Sequence, residues 1–102
     1  MNLLFLTCAN EAEANKISRS LLKKKLVFCI KKSLVSSSFL WKGKIVSSHE
    51  ILLIMDSIEE NFKKVEKEVA KLHSYKTFVL VSAPINKTTS GVTKWVRVEF
   101  SK

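Results

Sequence analysis

Few residues in this chain have side chains suited to chemistry. Cys8, Cys29, His49 and His73 are the only thiols and imidazoles, and a thiolate with an imidazole suits copper or zinc. No Cys-x-x-Cys or His-x-x-x-His spacing groups them. A free cysteine within an apolar strand ordinarily packs as a small core residue, which is the plainer reading of Cys29 and still more of Cys8. His73 falls in the last turn of an expected helix, where a partly charged imidazole interacts well with the helix dipole. His49, beside Glu50, reads as a surface pair. Neither histidine has an evident nucleophile together with an orienting acid, so the sequence offers no hydrolytic triad and the chain reads as no enzyme. Lys44 would pair with Glu50 or bind an anion. Trp41, Tyr75 and Trp95 would pack, or line a ligand pocket between subunits.

These residues must be held by one domain. The chain has 102 residues, 46% apolar and 26% charged, and at that length about two thirds of the unfolded surface can be buried without disulfide staples. Residues 1–102 are read as a single domain. Two unpaired cysteines in apolar runs suit a reducing compartment, so a cytoplasmic location is expected. Apolar runs such as Leu3–Leu6 and Ile51–Met55 are far shorter than the roughly 20 residues that span a bilayer. Met1–Cys8 lacks the basic start of a signal segment and reads as a first strand. The net charge is +9, and seven basic residues with no acid lie between Lys16 and Lys32. That surface would attract polyanions weakly and without sequence preference.

Asn10 is placed to cap a first helix with Glu13 completing a capping box, and Lys23–Lys25 close it. Ala14, Ile17, Leu21 and Leu22 form its apolar stripe. Leu26–Ile30 reads as a strand buried on both faces and running on toward Val35. Lys42-Gly43 between apolar flanks signals a hairpin. The next strand continues through His49 to Met55. Ser57 with Glu60 forms a second capping box, ahead of a helix whose stripe is Ile58, Phe62, Val65, Val69 and Leu72, with Glu59–Lys63 and Glu60–Lys64 pairs on its outside. Tyr75–Ala83 reads as a strand stopped by Pro84. Val92–Phe100 fits strand alternation and a helical stripe equally.

The resulting order is that of a ferredoxin-like split β-α-β, an α+β fold with both helices on one sheet face. Its strands are apolar at successive positions, so the second face also requires cover. An uncovered apolar face of several hundred Å² exceeds what a soluble monomer usually shows, and a homo-oligomer is expected.

Several short stretches, in order and near-family spacing, resemble the CutA divalent-ion tolerance family. Thr7-Cys8-Ala9-Asn10-Glu11 is similar to its strand-end turn, Leu26-Val27-Phe28-Cys29 to its Leu-Ala-Ala-Cys, and Trp41-Lys42-Gly43-Lys44-Ile45 to its hairpin. Glu50, His73-Ser74-Tyr75, Ala83-Pro84-Ile85 and Trp95 fall at further family positions. Ala9, Ser74, Phe78-Val79 and Asp56 depart from the pattern.

The resemblance implies a trimer joined through sheet edges, a C-terminal helix, and a non-enzymatic role in tolerance of copper or another divalent cation. It places Cys29 and His73 as metal ligands, and Trp41, Lys44, Glu50, Tyr75 and Trp95 around an inter-subunit pocket. Two other readings share the architecture. An RNA-recognition module would stack bases on strand aromatics, but Ile45–Ile51 has none and the RNP1 pattern is absent. A PII-like signalling module rests on architecture alone and lacks a glycine-rich phosphate loop. The expected partner is a second and third copy of the chain, with no membrane and no specific nucleic acid.

Overall fold

The computed structural model describes residues 1–101. Its elements run β1 (Asn2–Cys8), α1 (Glu11–Lys23), β2 (Cys29–Trp41), β3 (Lys44–Ser57), a 3-10 turn (Glu59–Asn61), α2 (Phe62–Leu72), β4 (Leu80–Pro84) and α3 (Ser90–Phe100). The four strands form one antiparallel sheet in the order β2-β3-β1-β4. This is the α+β arrangement expected, with β1 and β2 split by β3. No described helix is long and apolar enough to cross a membrane.

Alternation decides what the sheet buries, because successive strand side chains point to opposite faces. Leu4, Leu6 and Cys8 of β1 and Ile51, Leu53 and Met55 of β3 pack with Ala14, Ile17 and Leu21 of α1 and Val65 and Val69 of α2. Leu22, expected on that stripe, is exposed. The two helices are tied together by Glu68, whose carboxylate accepts from Ser20 Oγ at 2.6 Å and Lys24 Nζ at 2.8 Å. Those hydrogen bonds hold the Glu68 carboxyl down to about 2. The other sheet face, with Leu3, Phe5, Leu52, Ile54 and Val81, carries no helix and stays partly open.

Local signals were followed at the first helix and the hairpin. Asn10 Oδ1 accepts from Glu13 N at 2.9 Å, although the Glu13 carboxylate reaches Ala9 N rather than Asn10 N. Lys42 and Gly43 both adopt positive φ, 51° and 79°, as a type I′ turn requires. The hairpin is longer than expected, pairing Cys29 with Asp56 at one end and Trp41 with Lys44 at the other. Its outer half, from Val35↔Glu50 to Trp41↔Lys44, projects beyond β1 as a two-stranded arm.

Four expectations need correction. Leu26–Phe28 precede β2 instead of opening it, because Phe28 N donates only once to Asp56 O before the ladder starts. Ser57 does not cap α2. It ends β3, and its buried hydroxyl donates to Leu26 O at 2.6 Å. The chain then makes a 3-10 turn over Glu59–Asn61, so no Glu59–Lys63 or Glu60–Lys64 ion pair is among those of the described residues. β4 begins only at Leu80, since Ser74 is drawn to α1, Tyr75 to β3 and Phe78 to His73, as described below. Val92–Phe100 lies within helix α3, whose Trp95 and Phe100 rings meet Phe28 edge-on at 5.1 and 5.7 Å.

Candidate functional site

The carboxyl end of β1 brings three donor types together. Cys8 is the last residue of β1 and fully buried. Two residues on, Asn10 caps α1 and thereby sets Glu13 in its first turn, facing back over the strand end. His73 ends α2, its N–H closing the helix on Val69 O. A thiol Sγ, a carboxylate oxygen and an imidazole nitrogen from these residues all lie within 4.8 Å of one another.

Hydrogen bonds fix the state of each group. His73 Nε2 lies 2.8 Å from Thr7 O, and a carbonyl only accepts, so Nε2 carries the proton. Nδ1 then presents its lone pair, which accepts from Tyr75 N at 3.0 Å and stands 3.8 Å from Glu13 Oε2. Glu13 Oε2 accepts from Ala9 N at 2.7 Å and Oε1 from Ser74 N. Burial works against the Glu13 charge, but these backbone donors outweigh it and hold the carboxyl below its ordinary value. Burial, reinforced by the Glu13 and Glu50 carboxylates, pushes the Cys8 thiol up to about 12. A thiol so placed is a poor free nucleophile.

Tyr75 closes the cluster. Its ring tilts against His73 at 4.8 Å and its hydroxyl donates to the buried Glu50 carboxylate at 2.9 Å. Burial first, then Glu50, raises the Tyr75 hydroxyl to about 12. Phe78 also stacks on His73, at 5.3 Å. Residues 75–79 therefore wrap the site instead of extending β4.

The residues singled out from the sequence fall in several places. Cys29 pairs opposite Asp56, and alternation puts it on the sheet face opposite Cys8, beside Lys31 Nζ at 3.6 Å. His73 sits by Thr7, which pairs with Leu52. That is four residues along β3 from Asp56, about 13 Å at strand rise. Cys29 and His73 are thus not brought together within one subunit. Lys44 and Glu50 are separated by about 20 Å of the same strand, so they do not pair, and the partner of Glu50 is Tyr75. Of the five pocket candidates, Glu50 and Tyr75 meet, Trp41 and Lys44 face each other at the arm tip, and Trp95 lies by α1 in a cleft with Leu22, Val27, Phe28 and Phe100. His49 lies 3.4 Å from Ser36 Oγ. Within the basic cluster, Lys24 pairs with Glu68, Lys31 with Asp56 and Lys32 with Glu11.

From the sequence Cys8 reads as core and Glu13 as part of a helix cap, and neither as a member of a site. The signal available was their spacing around Asn10, which returns Glu13 to the strand end that carries Cys8.

Comparison with known proteins agrees with the fold over nearly the whole chain. The profile of the family described as CutA1 divalent ion tolerance protein matches residues 2–99. The divalent-cation tolerance protein CutA of Archaeoglobus fulgidus is 33% identical over 95 residues, 93% of this chain and 93% of that protein. Its counterpart of the same description in Thermotoga maritima is 33% identical over 97 residues, 95% of this chain and 96% of that one. A solved structure described as the periplasmic divalent cation tolerance protein CutA from Archaeoglobus fulgidus superposes with a TM-score of 0.93 at 32% identity, covering 96% of each chain. With the sheet order, the hairpin turn and the C-terminal helix all in place, the chain belongs to the CutA1 divalent ion tolerance family.

Proposed function

We propose that the protein serves divalent-cation tolerance as a homotrimer that binds copper or another divalent cation and catalyses no reaction. The observation that carries the assembled state is the sheet face formed by Leu3, Phe5, Leu52, Ile54 and Val81, which no described helix covers, together with an arm whose tip, beyond a serine-rich stretch, is apolar on both sides. On the arm, Leu40 and Ile45 stand on one face and Phe39, Trp41 and Val46 on the other. A role with divalent cations is supported by the relatives described as divalent-cation tolerance proteins. A cytoplasmic location fits the two unpaired thiols. A pocket formed by Trp41, Lys44, Glu50, Tyr75 and Trp95 requires the arm tip of one subunit to reach a neighbour, because within one subunit these residues occupy three places.

Light scattering coupled to gel filtration, with and without copper, tests the reading. The expected result is the mass of three chains and a bound metal ion co-eluting with the peak. A monodisperse monomer at micromolar concentration, or a peak that carries no copper, zinc or cobalt, overturns it.

A further inference from the structure

Resting on the cation-binding reading, we infer that Cys8 Sγ, Glu13 and His73 Nδ1 form the ligand set for a borderline divalent cation of the zinc type, with a fourth coordination position left open. The three side chains come from β1, α1 and the end of α2, so the fold and not a local motif assembles them.

Several features of the site suit a cation. Metal-bound histidine characteristically donates its other ring N–H to a carbonyl or carboxylate, which fixes the tautomer and aims the ligating nitrogen. His73 has that arrangement, with Nε2–H on Thr7 O and the Nδ1 lone pair on the side of Glu13. Glu13 uses one lone pair of each oxygen on Ala9 N and Ser74 N, and a carboxylate keeps further acceptor capacity. Thiolate, imidazole and carboxylate together match zinc-type ions better than magnesium or calcium, which take oxygen ligands.

The geometry is open relative to a filled site. Bond lengths near 2.0–2.3 Å put tetrahedral donors about 3.5 Å apart, whereas here they lie within 4.8 Å. Binding therefore draws them inward by about an ångström. Among the described residues, the competitor for the His73 lone pair is Tyr75 N–H, which must leave Nδ1 as the metal–nitrogen bond forms. The Cys8 S–H bond breaks in the same event, its proton passing to solvent and its electron pair to the metal. Residues 75–79 lie outside regular secondary structure, with the Tyr75 and Phe78 rings against His73.

The test uses the intact protein with Co²⁺ as probe, because thiolate–cobalt coordination gives a near-ultraviolet charge-transfer band. Cys29→Ser removes the part-exposed thiol and leaves Cys8 as the chain's single cysteine. The expected result is that Cys29→Ser retains the band at one cobalt per chain, that Zn²⁺ abolishes it by displacement, and that X-ray absorption of its zinc form finds one sulfur ligand. His73→Gln should weaken cobalt binding at least tenfold with the circular dichroism unchanged. Loss of the band in Cys29→Ser, or cobalt affinity unchanged by His73→Gln, overturns this ligand set while leaving the cation-binding reading standing. Failure of the unmodified protein to take up cobalt, zinc or copper at all overturns both.

Discussion

Strand β3 passes through two environments, and its halves obey different rules. Residues 51–57 lie between β1 and β2, and alternate between buried positions under the helices and half-buried ones on the open face. Residues 44–50 pair with β2 alone, and all but Glu50 at the junction are exposed or half-buried. A two-stranded ribbon is marginal by itself in water. The inner half is held by packing inside one subunit, whereas the outer half has a well-fixed register and no core of its own. In the trimeric reading proposed above, the support that such a ribbon lacks within the subunit comes from a neighbouring chain.

The largest effect should come from the inner half. Leu53 is fully buried between both helices' core residues, and Leu53→Ala should cost about 2–5 kcal/mol through lost transfer energy and the cavity left behind. Thermal or denaturant unfolding measures it. Ile45 on the arm is 80% exposed in the single subunit, and a surface change of that kind ordinarily stays within about 0.5 kcal/mol. If the arm is buried in a trimer, Ile45→Ser should instead weaken assembly by about 1.5–3 kcal/mol per subunit. The shift would be read as dissociation on dilution by light scattering. An Ile45→Ser trimer as resistant to dilution as the unmodified one would remove the arm from the interface and break the contrast between the two halves.

A third effect is smaller and sits where β3 ends. The Ser57 hydroxyl serves Leu26 O, which also accepts from Asn61 Nδ2 at 3.1 Å. Ser57→Ala should therefore cost about 1 kcal/mol, the net worth of one hydrogen bond. Glu60→Ala should stay within about 0.5 kcal/mol, since Glu60 is exposed in a 3-10 turn. A Glu60→Ala loss as large as that of Ser57→Ala, in thermal unfolding of the two variants, would restore the capping box that the hydrogen bonding denies.

What could be read from the sequence was what short-range rules decide. The Asn10 side-chain cap, the Lys42-Gly43 turn, and Phe62, Val65, Val69 and Leu72 of the second stripe each depend on neighbours within a turn or two and are found where expected, whereas Ile58, expected on that stripe, precedes the 3-10 turn outside α2. Ser57 carries an equally good local signature, yet a carbonyl 31 residues away takes its hydroxyl. Residues 75–79 carry strand propensity, yet Tyr75 is held by Glu50 and Ser74 by Glu13, which bends the chain away from the sheet. The same long-range contacts explain the candidate site. Cys29 and His73 belong to recognisable stretches but stand on different sheet faces and levels, while Cys8, Glu13 and His73 meet only because α1 begins and α2 ends at the tip of β1.

The smallest expected effect concerns the turn at the tip of the arm, and its sign is opposite. Lys42 holds φ at 51° and Gly43 at 79°. Gly43 has no Cβ to clash, but Lys42 sits in the left-handed region with a full side chain, which costs an ordinary L-residue about 1–2 kcal/mol. Asparagine tolerates that region through local hydrogen bonding, and Asn-Gly is a preferred type I′ pair. Lys42→Gly would relieve the same strain but would add freedom to the unfolded chain, which offsets part of the gain. Lys42→Asn should therefore stabilise the hairpin by about 0.5 kcal/mol, as a rise in the thermal midpoint. The gain should appear in the trimer only if the arm stays folded when subunits part. If the arm melts on dissociation, the stabilisation should instead appear as tighter assembly at unchanged subunit stability. Unfolding scans at several protein concentrations separate the two outcomes, and a lower midpoint at every concentration would show that Lys42 itself contributes at the tip through its side chain.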